Sequence, residues 1–166
     1  MVCVQTPRVL LLRMIVKTLH WSSETDAAAH AQGLAERLRQ QGLNACVCLQ
    51  GDLGAGKTTW VRHLLRALGV EGRIKSPTYA VVESYNLPEG DVWHFDFYRF
   101  EDPREWEDAG LRDIFAQPGL KLCEWPERVA EVLAQADWVV RIGFGATEGT
   151  REVQVTARTP QGEALL

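Results

Sequence analysis

Gly51-Asp52-Leu53-Gly54-Ala55-Gly56-Lys57-Thr58 satisfies the phosphate-binding pattern G-x-x-x-x-G-K-[ST] at every specified position. Its glycines let the backbone turn tightly enough to aim successive N–H groups inward. Lys57 can reach the β- and γ-phosphates, and the Thr58 hydroxyl suits Mg2+. Sequence on either side supports this reading. Ala45-Cys46-Val47-Cys48-Leu49 is a short, unbroken apolar run, as expected of a parallel strand buried on both faces. After the loop, Trp60, Val61, Leu64, Leu65 and Leu68 recur at helical spacing, and Gly69 follows as a terminator. A strand, a glycine-rich loop and a helix in this order place the positive end of the helix dipole at the phosphates.

Outward from this unit, Ile15 to Leu19 predicts a first strand. Ser23 and Asp26, at capping-box spacing, start an amphipathic helix that runs to Gln41 and stops at Gly42. Within it His30 reads as a packing or surface residue, since no partner stands four residues away to share a metal. Tyr79 to Tyr85 and Val92 to Phe97 predict a hairpin joined through residues 86–91. Arg104 to Phe115 reads as helix interrupted near Gly110, Leu120 to Cys123 as a strand ending at Glu124, and Pro126 to Leu133 as one more helix. Asp137 to Phe144 and Arg151 to Arg158 alternate as a closing antiparallel pair. The fold class expected is α/β: a three-layer P-loop NTPase-like domain with a mixed, mainly parallel central sheet. This domain spans residues 15–158. Residues 1–14 are set apart as an N-terminal arm, disordered or a mere overhang, with Met1 and Met14 both open as the start, and residues 159–166 as a C-terminal tail.

Composition narrows the function classes. The 166 residues suit one domain, and a formal net charge of -4 argues against a strongly basic nucleic-acid-binding domain, so any RNA contact is expected through a partner. Cys3, Cys46, Cys48 and Cys123 lack C-x-x-C or zinc-finger spacing and read as small reduced core residues of a cytoplasmic protein. Val9 to Leu12 begins like a signal peptide, but Arg13 ends the run, and no span of about 20 apolar residues predicts membrane insertion.

A phosphate loop alone hydrolyses nothing; it needs carboxylates to hold Mg2+ and to orient the nucleophile. Asp96 and Glu124 each follow an apolar run, at the carboxyl ends of strands where open α/β sheets bind ligands. Lys75-Ser76-Pro77-Thr78-Tyr79 lies where a mobile segment can bring hydroxyls to the γ-phosphate, although Ser-Pro-Thr is also common turn chemistry. Trp125, beside Glu124, reads equally as pocket lining, partner surface or interior residue.

Together, Gly51 to Thr59, Lys75 to Tyr79, His-Phe-Asp-Phe-Tyr-Arg at 94–99 and Glu124-Trp125 closely resemble the TsaE (YjeE) family. The resemblance implies an ATPase of tRNA threonylcarbamoyladenosine (t6A) biosynthesis, weak alone, that works with TsaB and TsaD, reaches tRNA indirectly through them and touches no membrane. ATP and Mg2+ are the implied cofactors. By this likeness Gly51, Gly54, Ala55, Gly56, Lys57, Thr58 and Thr59 bind nucleotide, Thr58 and Glu124 hold Mg2+, Asp96 assists hydrolysis and Thr78 belongs to a switch. Thr25 and Arg151 match positions near the nucleotide. His94, Tyr98 and Arg99 match without a derivable role. Cys123 stands where the family often has valine. A small-molecule kinase remains a rival, though no arginine-rich lid is visible, and so does a nucleotide-gated binding module. A GTP switch is disfavoured because no Asn-Lys-x-Asp occurs.

Overall fold

The computed structural model describes residues 14–108 and 110–166. The arm expected over residues 1–14 lies outside these except for Met14, as does Cys3. Seven strands form one sheet in the order β1-β7-β6-β2-β5-β4-β3, with β1 Ile15–Trp21, β2 Cys46–Gln50, β3 Val82–Leu87, β4 Gly90–Asp96, β5 Leu120–Glu124, β6 Trp138–Phe144 and β7 Arg151–Ala157. The four central strands β6, β2, β5 and β4 run parallel. On one flank β7 and β1 add antiparallel pairs, and on the other β3 does. The sheet is therefore mixed, with its parallel part at the centre, and the closing pair expected from the sequence is a three-stranded flank that β1 completes.

Alternation along the central strands builds a core on each face. Val47, Leu49, Leu120 and Leu122 join Leu34 and Leu38 of α1 (Glu24–Gln41) and Trp60 and Leu64 of α2 (Lys57–Ala67). Cys46, Cys48, Phe95 and Cys123 pack on the opposite face with Trp106 of α3 (Arg104–Asp108), Phe115 of α4 (Leu111–Phe115) and Val132 of α5 (Ala130–Ala134). These are the three layers.

Several boundaries differ from expectation for local reasons. The hairpin closes through the two residues Pro88 and Glu89, so both strands reach further into the turn than expected. In place of one helix from Pro126 there is a 3-10 turn, Pro126–Arg128, then α5, because Val129 is extended (φ -133°, ψ 94°) and buried against the core. The capping box does not form: the Ser23 side chain caps nothing, and the Asp26 carboxylate accepts from the N–H of Ser22, one residue before the N-cap, at 2.7 Å.

Residues 159–166, read from sequence as a tail, fold back onto the domain as α6 (Pro160–Ala164). Thr159 caps it by accepting from the Gly162 N–H, the Trp138 indole donates to the Gly162 carbonyl at 2.6 Å, and Leu165 is buried in the α1–α2 core. Deleting that side chain in Leu165→Ala is expected to cost about 2–4 kcal/mol in urea unfolding, as for other buried leucines. A loss below about 0.5 kcal/mol would return these residues to the status of a loose end.

His30 is a packing residue. Its ring lies among Trp21, Trp60 and Trp138, and Nδ1 accepts from the Trp60 indole at 3.1 Å, which places the neutral ring's proton on Nε2. Burial pushes its pKa from 6.5 down to about 4, aided by the nearby charges of Arg37 and Lys17. The fold thus holds the neutral ring while the unfolded chain is protonated first, so the stabilisation is complete above pH 6.5 and is lost as pH falls toward 4. Denaturant unfolding across that window should show a loss approaching about 3 kcal/mol. His30→Gln, which keeps an acceptor for Trp60, should flatten the slope.

Candidate functional site

The carboxyl ends of β2, β4 and β5 lie along one edge of the sheet, and the sequence places Gln50, Asp96 and Glu124 there in turn. Beyond Gln50 the chain enters the glycine-rich loop and leaves it as α2, whose first residue is Lys57. Two glycines are required by geometry. A Cβ at Gly51 would stand 2.5 Å from the Ile142 carbonyl oxygen, and Gly56, at φ 111°, turns the chain into the helix through the left-handed region. The free N–H groups of the first turn of α2 face the mouth of the loop, a ready anion site.

Lys57 is buried, and its ammonium donates to the carbonyls of Gly51 (2.6 Å) and Asp52 (3.0 Å) while lying 4.2 Å from the centre of the Trp125 ring. Burial pushes it below the usual lysine range; the carboxylates of Glu124, Glu127, Asp96 and Asp52 oppose that shift. Trp125 is therefore a wall of the site, half-buried over the lysine, and its backbone takes a left-handed φ of 56° immediately after Glu124.

Thr58, one residue into the helix, donates its hydroxyl to the Glu124 carboxylate at 2.8 and 2.9 Å. Glu124 is only 2% exposed, and its Oε1 also meets His94 Nε2 at 2.8 Å. His94 is fully buried on β4, and its Nδ1 has no hydrogen-bond partner among the described residues. One strand over, in register with Glu124, Asp96 accepts from the hydroxyls of Ser76 and Thr78, each at 2.9 Å, and from the Tyr98 N–H at 3.0 Å. A cleft of about 400 Å3 brings Lys57, Thr58, Thr78, Asp96, Glu124 and Trp125 together. Thus the two carboxylates named from sequence share one site, each with a hydroxyl from a different segment.

The 75–81 segment is tied to this site under strain. Val81 has φ 68°, an outlier for a β-branched residue, held by its N–H to the Pro77 carbonyl (2.6 Å) and by the Asp96 N–H to its own carbonyl (2.9 Å).

A second cleft of about 260 Å3 lies on the other side of the loop, lined by Trp21, Glu24, Ala55, Thr59, Gly149 and Arg151. Arg151 braces the loop: its Nε donates to the Ala55 carbonyl at 2.7 Å, its Nη2 to that of Gly54 at 3.4 Å, and its guanidinium lies 4.9 Å from the centre of the Phe144 ring. Thr25 is exposed on the first turn of α1, and its neighbours Ser23 and Glu24 line this cleft. Sequence reading missed Trp21, Glu24 and Gly149 here, and missed the hold of His94 on Glu124. The signals for His94 were its match to the family stretch at 94–99, which gave it no role, and its place two residues before Asp96 on one strand face.

The family model described as "Threonylcarbamoyl adenosine biosynthesis protein TsaE" matches residues 21–153, which include every residue of both clefts. The chain is 42% identical over 120 residues to a tRNA threonylcarbamoyladenosine biosynthesis protein TsaE of Haemophilus influenzae, covering 72% of this chain and 75% of that one. It is 38% identical over 109 residues to the protein of the same name from Bacillus subtilis, covering 66% and 67%. The fold superposes on a crystal structure of Bacillus subtilis YdiB with a TM-score of 0.70 at 28% identity, over 91% of this chain and 93% of that one. No helix among the described residues is long and apolar enough to cross a membrane.

Proposed function

Because the chain belongs to the TsaE family of threonylcarbamoyl adenosine biosynthesis proteins, we propose that it is a Mg2+-dependent ATPase that supports a TsaB–TsaD complex in forming t6A in tRNA, at the adenosine next to the anticodon. The observation that carries this reading is the contact of the Thr58 hydroxyl with the Glu124 carboxylate at the mouth of the phosphate loop, beside Asp96. A hydroxyl and a carboxylate are hard oxygen donors, the set that suits Mg2+. Thr58 and Glu124 would hold the ion, which when bound neutralises charge on the β- and γ-phosphate oxygens.

The chain's own groups account for the remaining chemistry. Loop N–H groups and the start of α2 receive the phosphates, and Lys57 exchanges the carbonyls of Gly51 and Asp52 for phosphate oxygens. Thr59 and the second cleft take the nucleoside end, with Arg151 keeping the loop in shape. Asp96 orients the attacking water. In this structure its Oδ2 is occupied by the hydroxyls of Ser76 and Thr78, so the 75–81 segment must shift before water can take that place. The strained Val81 suits such a shift. Slow turnover by the chain alone follows, and so does acceleration when a docked partner repositions the segment. The negative net charge fits contact with tRNA through that partner rather than by this chain. The cytoplasm, where tRNA and ATP are both present, is the compartment this reading requires.

Phosphate release from ATP, measured as Mg2+ is titrated, tests the reading. A saturable dependence on Mg2+ supports it, whereas tight nucleotide binding with no release under any condition would leave a nucleotide-gated binding module. The same assay tests His94. If its imidazole holds Glu124 in place, His94→Gln should raise the Mg2+ concentration for half-maximal release about 10-fold or more, with nucleotide affinity in the absence of Mg2+ unchanged. An unaltered Mg2+ requirement would make His94 a packing residue only.

A further inference from the structure

We infer that Cys46, Cys48 and Cys123 form a three-thiolate site for a zinc-like divalent cation, on the face of the sheet away from the nucleotide clefts. In the parallel pair β2–β5, Cys48 stands opposite Cys123 and Cys46 opposite Lys121. Residues two apart on a strand share a face, so three thiols and one ammonium make a two-by-two block, while Glu124 points to the other side toward Thr58. The three sulfurs lie within 4.8 Å of one another, with Cys46 and Cys48 at 4.0 Å. Zinc at about 2.3 Å from each sulfur sets thiolates about 3.8–4.0 Å apart. The block therefore needs a contraction of less than about 1 Å, small beside a rotamer change.

Lys121 occupies the fourth corner, its stem packed and its ammonium at the cleft beside the block. Lys121 is 8% exposed and forms no ion pair among the described residues; its ammonium lies 5.9 Å from the centre of the Phe115 ring. The Asp137 carboxylate is engaged elsewhere, accepting from the Cys46 N–H at 2.8 Å and from the Thr159 hydroxyl at 2.6 Å. Three thiolates around a divalent cation leave one negative charge, which Lys121 neutralises. A cleft of about 280 Å3, lined by Cys46, Lys121, Gln135 and Asp137, reaches the block from solvent and leaves room for water as the fourth ligand. Thiolate donors select soft ions over Mg2+, so this site and the nucleotide site do not compete for the same metal.

Titration of the reduced, metal-free chain with Cd2+, followed by sulfur-to-metal charge-transfer absorbance, and with Zn2+ against a competing chelator, tests the site. One equivalent should bind. Affinity should fall 100-fold or more in Cys46→Ala and in Cys123→Val, about 10-fold in Lys121→Met, and not at all in Cys3→Ala. Nucleotide binding and far-ultraviolet circular dichroism establish that each variant is folded. Failure of the folded wild type to retain an equivalent of metal would overturn the site, as would absorbance that survives Cys123→Val or vanishes in Cys3→Ala. Should a cysteine variant not fold, Lys121→Met decides: wild-type affinity in it would contradict the site.

Discussion

Lys57→Ala is expected to lower ATP turnover about 100- to 1000-fold, the scale seen when one preorganised cationic or hydrogen-bonding group is removed from a developing charge. Lys57 is the cation of the loop itself. It is buried, placed by the first turn of α2, and held to the loop carbonyls that a phosphate would displace it from. Because burial already lowers its affinity for the proton, an approaching polyanion gains an ammonium that water solvates poorly, which strengthens the attraction. The loss should therefore appear in nucleotide affinity as well as in turnover. Two hydrogen bonds to the loop vanish with the side chain, so thermal unfolding must accompany the kinetics. A melting temperature within a few degrees of wild type, with turnover collapsed, assigns the effect to phosphate binding. Undiminished turnover would remove Lys57 from the site.

Glu124→Gln and Asp96→Asn should separate from each other although the two residues are neighbours in register on adjacent strands. Glutamine at 124 keeps an oxygen for the Thr58 hydroxyl and fits the same space, but it carries no charge for a divalent ion. The expected result is a Mg2+ requirement raised at least about 10-fold, with the maximal rate recovered in part at high Mg2+. Asparagine at 96 retains a partner for Ser76 and Thr78 and removes the carboxylate to which the proposal gives the orienting of water. Turnover should fall about 100-fold or more with KM for ATP little changed, and added Mg2+ should not restore it. Identical behaviour of the two variants would mean that the carboxylates act as one unit, and the division of roles proposed above would fail.

What the sequence makes legible depends on the range of the interactions involved. The segment from Cys46 to Leu68 could be read almost residue by residue, because a buried parallel strand, a glycine loop and an amphipathic helix each leave a local pattern. Gly42 ended α1 where expected, at φ 91°. The amphipathic period of α1 was legible too: Ala31, Leu34, Ala35 and Leu38 recur at helical spacing and all are buried, with Ala27 joining them one turn earlier. Long-range choices were less visible. The pairing of β1 with β7 joins residues more than a hundred positions apart, and nothing local in Pro160 to Ala164 signals that Trp138 will take its carbonyl. At the site, Asp96 and Glu124 stood out as acids after apolar runs. The partners that give them work, Ser76 and Thr78 for one and Thr58 and His94 for the other, come from other segments and emerge only when the strands align. The thiol block is of the same kind. Cys46 and Cys48 were visible as one face of a strand, but their meeting with Cys123 and Lys121 is a property of register.

Phosphate release from ATP and Mg2+ by the purified chain, alone and with TsaB–TsaD, is the most direct test of the central claim, with Lys57→Ala as control. Slow release by the chain alone, stimulated at least about 10-fold by the partners and absent in the variant, is the predicted result. If the partners and nucleotide both bind and release is not stimulated, the claim that this chain is an ATPase serving that complex is contradicted.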